Sequence, residues 1–228
     1  MNLLKTLLIT SLLLSIVSCS NFQKELRVGV SADYPPITFK DDKGNYSGLE
    51  NDYAQMLATE MRAELKRIQM PFAELIPALE KGEIDIIMSG MTKNEARSFK
   101  VRFLPPHMTL KYMIILSNEN IQLINAPLKQ VNDSFSLAYI NGTISEEIVK
   151  QDLPENESKA YEDIDKCIKA IKSGEVDALI HESPSIAKYD QEEYTLSALV
   201  WGANTDSLAW AIKYEDGKMY KEILDIYQ

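Results

Sequence analysis

The chain has 228 residues and a formal net charge of −10, because 34 Asp and Glu residues outnumber 24 Lys and Arg residues. This acidic balance disfavours nucleic acid and anionic lipid surfaces as partners, since both carry negative charge. The length suits one large domain or two small domains whose cores need no disulfide bonds.

The first residues are typical of an export signal. One lysine precedes an apolar stretch, residues 7–17, that contains no acid and is shorter than the roughly 20 apolar residues of a spanning helix. The stretch leads into Ile16-Val17-Ser18-Cys19, which resembles the lipobox of bacterial lipoproteins, where the cysteine is acylated. We predict a signal peptide at residues 1–18, lipidation of Cys19 and a tether at residues 19–25. The mature chain would be anchored in the periplasm or on the cell surface. An ordinary signal peptide that contains a cysteine is the alternative.

Strands and helices alternate along the rest of the chain. Leu26-Arg27-Val28-Gly29-Val30 predicts a buried strand that Asp33-Tyr34-Pro35-Pro36 ends in a loop. Two helices are predicted next, one capped by Asp52 and one starting at Pro71. Their apolar positions are Tyr53, Met56, Leu57 and Met61 in the first helix, and Phe72, Leu75, Ile76 and Leu79 in the second. This alternation predicts βαβ units with ligands at the carboxyl ends of the strands.

An internal repeat divides the chain into two similar halves. Residues 78–90 recur as residues 170–182, and each copy reads as a helix end, a glycine and a buried strand. In the second copy, Cys167 lies on the apolar face of the helix and is predicted to fill the core. If two lobes face each other across a cleft, Gly90 and Glu182 end equivalent strands and meet the same ligand. The alternative is a common helix–glycine–strand unit that recurs by chance.

Several motifs in chain order resemble one known family. They are VGVSADYPP at residues 28–36, GLEND at 48–52, LIPAL at 75–79, MSGMT at 88–92 followed by Arg97, Gly142-Thr143, and VDALIHESP at 176–184. Together they resemble the polar amino-acid-binding proteins of ABC importers, which are family 3 extracellular solute-binding proteins. The resemblance covers nearly the whole chain after the signal.

The resemblance implies the type II periplasmic-binding-protein fold, with two Rossmann-like α/β lobes joined by hinge strands. Lobe 1 is expected to comprise residues 26–112 and 197–228, and lobe 2 residues 113–196. The implied protein is a monomer that captures an amino acid by lobe closure and passes it to an ABC permease. It would need no cofactor or metal, and it would contact the membrane only through its lipid anchor.

The resemblance also assigns the ends of the ligand. Arg97 matches the arginine that clamps the ligand carboxylate, for which a planar guanidinium is suited because it donates two parallel hydrogen bonds. Glu182 matches the position where the family usually has an Asp for the ligand ammonium, and Gly90 adds its carbonyl. Thr92 is expected to add a backbone N–H and a hydroxyl within the turn that contains Met91. A surface role for Arg97, and pairing of Glu182 with water or Lys188, are the alternatives.

Further ligand contacts are expected in the side-chain pocket. Tyr34 and Phe72 match its aromatic walls, although Phe72 also suits core packing. Thr143 precedes a helix that Ser145 is predicted to cap, and the backbone N–H groups of Thr143 and Ile144 are expected to face the ligand, unless this is an ordinary helix start. Ser31 stands where relatives selective for basic ligands have Asp, which favours a neutral ligand.

Two other functions remain open. Cyclohexadienyl dehydratases share the fold and need an acid, but Ser185 stands where those relatives carry it. His107 and His181 have no obvious nucleophile to activate, no His and Cys set has metal spacing, and both histidines are predicted to be loop or core residues. We therefore predict a binding protein that is not an enzyme. A sensory lipoprotein that signals to a partner is the third possibility.

Overall fold

The computed structural model describes residues 24–123, 134–182 and 195–227. The predicted export signal, Cys19, Ser185 and Lys188 lie outside these residues. The strands are β1 (Glu25–Val30), β2 (Asp33–Tyr34), β3 (Thr38–Lys40), β4 (Tyr46–Ser47), β5 (Glu64–Gln69), β6 (Ile86–Ile87), β7 (Val101–Phe103), β8 (Met108–Ser117), β9 (Leu137–Ile140), β10 (Ser158–Tyr161), β11 (Ala178–Glu182), β12 (Leu196–Leu208) and β13 (Ala211–Lys213). The helices are α1 (Leu49–Glu60), α2 (Leu75–Lys81), α3 (Glu95–Ser98), α4 (Ile144–Asp152), α5 (Ile164–Lys172) and α6 (Gly217–Tyr227), with 3₁₀ turns at Phe72–Glu74 and Asn118–Leu123.

Two five-stranded sheets form the centres of two α/β lobes. The first has the order β5-β1-β6-β13-β7, and the second has the order β10-β9-β11-β8-β12. In each sheet the first three strands are parallel, as the βαβ alternation predicts, and the following strand is antiparallel. A small antiparallel sheet has the order β2-β3-β4, so Asp33 and Tyr34, predicted to lie in a loop, form a short strand.

The first helix differs from its prediction in its start and its buried face. It begins at Leu49 after Gly48, which has φ 106°, so Asp52 lies inside the helix and does not cap it. The neighbouring loop replaces the cap, because the N–H groups of Leu49 and Glu50 donate to backbone carbonyls of that loop. Met56 is 60% exposed, since the helix turns its small residues toward the core instead. The buried face consists of Glu50, Ala54, Leu57 and Ala58.

The internal repeat is confirmed as a structural repeat. Helix α2 ends at Gly82 with φ 75° and leads into β6, and α5 is followed by Gly174 with φ 72° and β11. Both strands occupy the middle of their sheets. On α5 the predicted apolar face is buried, and Cys167 is fully enclosed in the core. This burial raises the pKa of the Cys167 thiol to about 12.

Two long strands carry the chain between the lobes. β8 and β12 pair antiparallel from Leu196 opposite Ser117 to Leu208 opposite Met108, with an irregularity between Trp201 and Thr205. The lobe limits expected at 112/113 and 196/197 fall within these strands, and this division stays a proposal. In the three described ranges, no helix has both the length and the apolar character needed to cross a membrane.

Candidate functional site

A cavity lies between the lobes at the carboxyl ends of the parallel strands, where the βαβ alternation predicts it. The first lobe lines it with Ser31, Asp33, Tyr34, Phe72, Ser89, Gly90, Thr92 and Arg97. The second lobe adds Ile140, Thr143, Ile144, Ile164, His181 and Glu182. Its free volume is about 20 Å³, which is enough for about one water molecule. Hydrogen bonds cross between the lobes at this cavity, from Arg97 to the Gly142 carbonyl and from Thr92 to the Glu182 carboxylate, so the lobes are in contact.

Arg97 links the two walls of this cavity. The Asn94 side chain caps α3 by accepting the Arg97 backbone N–H at 2.8 Å. The guanidinium donates through Nη1 to the Thr92 carbonyl and through Nη2 to the Gly142 carbonyl, each at 2.8 Å. Its centre lies 5.4 Å from the centroid of the Phe72 ring. Burial lowers the pKa of Arg97, but an arginine remains a cation inside a protein.

Glu182 supplies the opposite charge from the second lobe. It is the last residue of β11 and is only 7% exposed, as is Arg97. Its Oε1 accepts a hydrogen bond of 3.0 Å from the Thr92 hydroxyl. Thr92 thus contacts the cation through its carbonyl and the anion through its side chain. One cavity therefore has a buried positive group on one lobe and a buried negative group on the other.

A buried carboxylate behind the cavity fixes Gly90. The Gly90 N–H donates to Glu50 Oε2 at 2.6 Å, and Glu50 is 1% exposed. The other carboxylate oxygen lies 3.0 Å from His107 Nε2, and the His107 ring packs beside Trp210. A Cβ at Gly90 would lie 2.4 Å from Tyr34 Cδ1, and φ is +62°, so this position requires glycine. Sequence reasoning missed the role of Glu50, although the GLEND motif contains it.

The start of helix α4, in the second lobe, differs from its prediction. Thr143, not Ser145, is the residue before α4, and its side chain makes no cap hydrogen bond. Its hydroxyl donates to the Ile140 carbonyl at 2.8 Å and lies 2.6 Å from Ser145 Oγ. Ser145 cannot cap because it is already the second residue of the helix. Thr143 and Ile144 both line the cavity.

The remaining predicted residues divide into two groups. Ser31, Tyr34 and Phe72 line the cavity, and the Ser31 hydroxyl lies 2.8 Å from Ser89 Oγ. Met91 does not reach the lining: it is 1% exposed and packs in the core of the first lobe.

Two ionisable residues in the lining were missed as site residues. Desolvation raises the pKa of Asp33, while a hydrogen bond with the Ser31 side chain and the nearby His181 oppose the shift and Asp163 adds to it. Desolvation lowers the pKa of His181, against the opposing effect of Glu182 and Asp33. The His181 and Tyr34 rings are tilted, with centroids 5.2 Å apart. His181 is buried, as a core residue would be, but it also lines the cavity. Its only sequence signal was its place beside Glu182 at a strand end.

Within the described parts of the chain, no group of three or more His, Cys, Asp or Glu side chains is arranged to hold a metal ion.

Comparison with known proteins identifies sequence relatives. The model of bacterial extracellular solute-binding proteins, family 3, matches residues 26–182, which is more than half of the chain. A probable histidine-binding protein of Neisseria gonorrhoeae is 26% identical over 172 residues, covering 75% of this chain and 63% of that protein. The match therefore spans less than two thirds of that relative.

Solved structures share the fold over most of its length. An ancestral amino acid-binding protein, AncCDT-1, described as a precursor of cyclohexadienyl dehydratase, is 31% identical with a TM-score of 0.79, covering 88% of this chain and 87% of that chain. The arginine-bound form of truncated ArgBP from T. maritima is 26% identical with a TM-score of 0.83, covering 89% of this chain and 94% of that chain. The chain belongs to the bacterial extracellular solute-binding proteins, family 3, and has their type II periplasmic-binding-protein fold.

Proposed function

We propose that this protein is an exported, lipid-anchored binding protein that captures an amino acid by lobe closure and delivers it to an ABC permease. The observation that carries the proposal is the pair Arg97 and Glu182, buried on opposite walls of one cavity. An amino acid brings a carboxylate and an ammonium on one carbon, so it can satisfy both charges at once. Charge-assisted hydrogen bonds of this kind are among the stronger ones in proteins.

The contacts across the cleft support capture by closure. Arg97 reaches the Gly142 carbonyl of the second lobe, and Glu182 accepts from Thr92 of the first. A ligand carboxylate would accept hydrogen bonds from the guanidinium N–H groups that donate to backbone carbonyls in this structure. A ligand ammonium would donate hydrogen bonds to the Glu182 carboxylate. Closure therefore brings Arg97 of the first lobe and Glu182 of the second lobe to one site.

The names of the relatives support an amino acid as the ligand. The gonococcal relative is named a probable histidine-binding protein, and the ArgBP structure contains arginine. AncCDT-1 is described both as amino acid-binding and as a precursor of a dehydratase. These names favour binding over catalysis, and we propose that the ligand leaves the cleft chemically unchanged.

The anchor proposal rests on Ile16-Val17-Ser18-Cys19. We expect the mature chain to start at an acylated Cys19 and to act as a monomer. Mass spectrometry of the N-terminal peptide tests the acylation of Cys19. An unmodified Cys19 in a freely soluble chain would contradict the anchor proposal.

A thermal-shift screen of the full chain in detergent against the twenty amino acids tests the function. A ligand present at 100 times its dissociation constant should add about 2.7 kcal/mol to the free energy of unfolding. Arg97→Ala should greatly reduce the shift at the same ligand concentration. Arg102→Ala is the matched control, because the Arg102 guanidinium stacks on the Tyr220 ring outside the cavity. The proposal fails if none of the amino acids shifts the wild-type transition.

A further inference from the structure

His181 has polar atoms that the closed protein leaves without a partner. It is 4% exposed, and among the described residues neither ring nitrogen has a hydrogen-bond partner. Its nearest carboxylate oxygen, Glu182 Oε2, lies 3.6 Å from Nδ1, which is too long for a hydrogen bond. The Tyr34 hydroxyl in the same lining is also unpartnered. Buried polar groups are rarely left unpaired, because this costs free energy, so these atoms require an explanation.

The position of His181 points to the side chain of the ligand. Arg97, Thr92 and Glu182 account for the two charged ends of an amino acid. Asp33 remains in the lining as a carboxylate that these ends do not use, and it comes from the lobe opposite His181. The two residues are close enough to influence each other's ionisation. Closure thus brings an imidazole and a carboxylate together in the rest of the cavity.

The two groups have complementary hydrogen-bonding needs. Desolvation lowers the pKa of His181, so its ring is neutral, with one nitrogen as donor and the other as acceptor. An ionised Asp33 only accepts hydrogen bonds. A ligand that satisfies both must donate a hydrogen bond and must also accept one from the imidazole.

We propose that His181 and Asp33 select amino acids with a planar side chain that carries an N–H donor beside a hydrogen-bond acceptor. Carboxamides and the neutral imidazole have this chemistry. The inference rests on the proposed function and names its ligand class.

Aliphatic, carboxylate and guanidinium side chains each leave one of the two residues unsatisfied. An aliphatic side chain leaves the His181 nitrogens without partners. A carboxylate faces Asp33 as a like charge in a poorly solvated cavity. A guanidinium donates to Asp33 but has no acceptor for the imidazole N–H. A site built for hydrogen bonds discriminates strongly against such analogues, because its own buried groups are then left unpaired.

Calorimetric titration of the full chain in detergent with five amino acids tests the proposal. We expect glutamine or histidine to bind at least tenfold more tightly than methionine, glutamate and arginine. Methionine matches glutamine in length but lacks the amide. The ranking of glutamine against histidine distinguishes a carboxamide from an imidazole ligand.

Two variants assign the preference to His181. His181→Leu should weaken binding of the preferred ligand at least tenfold while methionine binding stays within threefold. His181→Gln, which keeps a donor and an acceptor, should restore part of the loss. A merely structural role would weaken all five ligands equally, and that result would overturn the proposal. Methionine or arginine as the tightest ligand of the wild type would also overturn the proposal. This ranking of wild-type affinities tests the proposal even if the His181→Leu variant does not fold. If no amino acid binds at all, the proposed function itself fails.

Discussion

Asp33 gives the cavity a pH dependence at the scale of a single residue. Desolvation raises its pKa, so the folded protein holds the proton more tightly than the unfolded chain does. The stability from this group is fully present below about pH 4, the ordinary aspartate pKa, and is lost as the pH rises through the folded-state value. Asp33→Asn should therefore stabilise the protein more at pH 7 than at pH 4, as measured by urea unfolding.

Asp41 offers a matched control of opposite sign. Its exposed carboxylate accepts the backbone N–H groups of Lys43 and Asn45, which lowers its pKa. Asp41→Asn should remove stability that is present above about pH 4 and lost as the pH falls further. An Asp33→Asn effect that does not change with pH would show that Asp33 is not held in a poorly solvated place.

The sequence predicted some residues of the cavity lining and missed others. Arg97, Thr92 and Glu182 follow strands or turns whose patterns are visible along the chain, and the structure brings them together. Glu50 and His181 were missed, although Glu50 lies in the GLEND motif and His181 lies beside Glu182 at a strand end. Both side chains are buried by residues of other elements. Packing between segments that are distant in the sequence is not visible in a sequence pattern. The same reason explains Met91, whose neighbours in sequence line the cavity while its side chain enters the core.

At the scale of elements, α3 and α4 face each other across the cleft. Asn94 uses its carbonyl oxygen to cap α3 and donates through Nδ2 to the Glu147 carboxylate at 3.2 Å. One residue thus joins the helix that bears Arg97 to the second lobe. Asn94→Asp should preserve the cap, because Asp and Asn cap helices about equally well. It should also weaken ligand binding several-fold, because two carboxylates then meet on closure.

Salt separates this repulsion from a loss of structure. Screening should bring the affinity of the Asn94→Asp variant back toward that of the wild type at about 1 M salt, where the Debye length is roughly 3 Å. Unfolding midpoints should stay close to those of the wild type. A binding loss that salt leaves unchanged would argue against a contact made on closure.

The helix–glycine–strand units formed as predicted, but the loop predicted at Asp33 and Tyr34 contains strand β2. Both copies of the helix–glycine–strand unit form, with glycines at φ 75° and 72°. The starts of α1 and α4 did not follow, because Gly48 and Thr143 begin these helices without a side-chain cap. Backbone groups of neighbouring loops replace the cap at α1, and a sequence pattern does not report such contacts.

At the scale of the whole molecule, Gly142 permits the close approach of the lobes. It has φ +74°, and a Cβ there would lie 3.0 Å from the Cα and Cβ of Ala73 in the first lobe. Gly174 has φ +72°, and no atom lies within 4 Å of a Cβ placed on it. Both alanine variants should lose about 1–2 kcal/mol of stability through the left-handed backbone. Gly142→Ala alone should also lower ligand affinity several-fold by calorimetry, and equal affinities for the two variants would contradict this account.

The most direct test of the central claim is calorimetric titration of Arg97→Ala and Glu182→Gln with the amino acid that the screen identifies. Removing one partner of a buried charge pair typically costs 2–5 kcal/mol. Each variant should therefore bind about 30-fold or more weakly than the wild type, while Arg102→Ala binds normally. If Arg97→Ala and Glu182→Gln both bind within about threefold of the wild type, well below the tenfold change that 1.4 kcal/mol produces, these residues do not hold the two ends of the ligand.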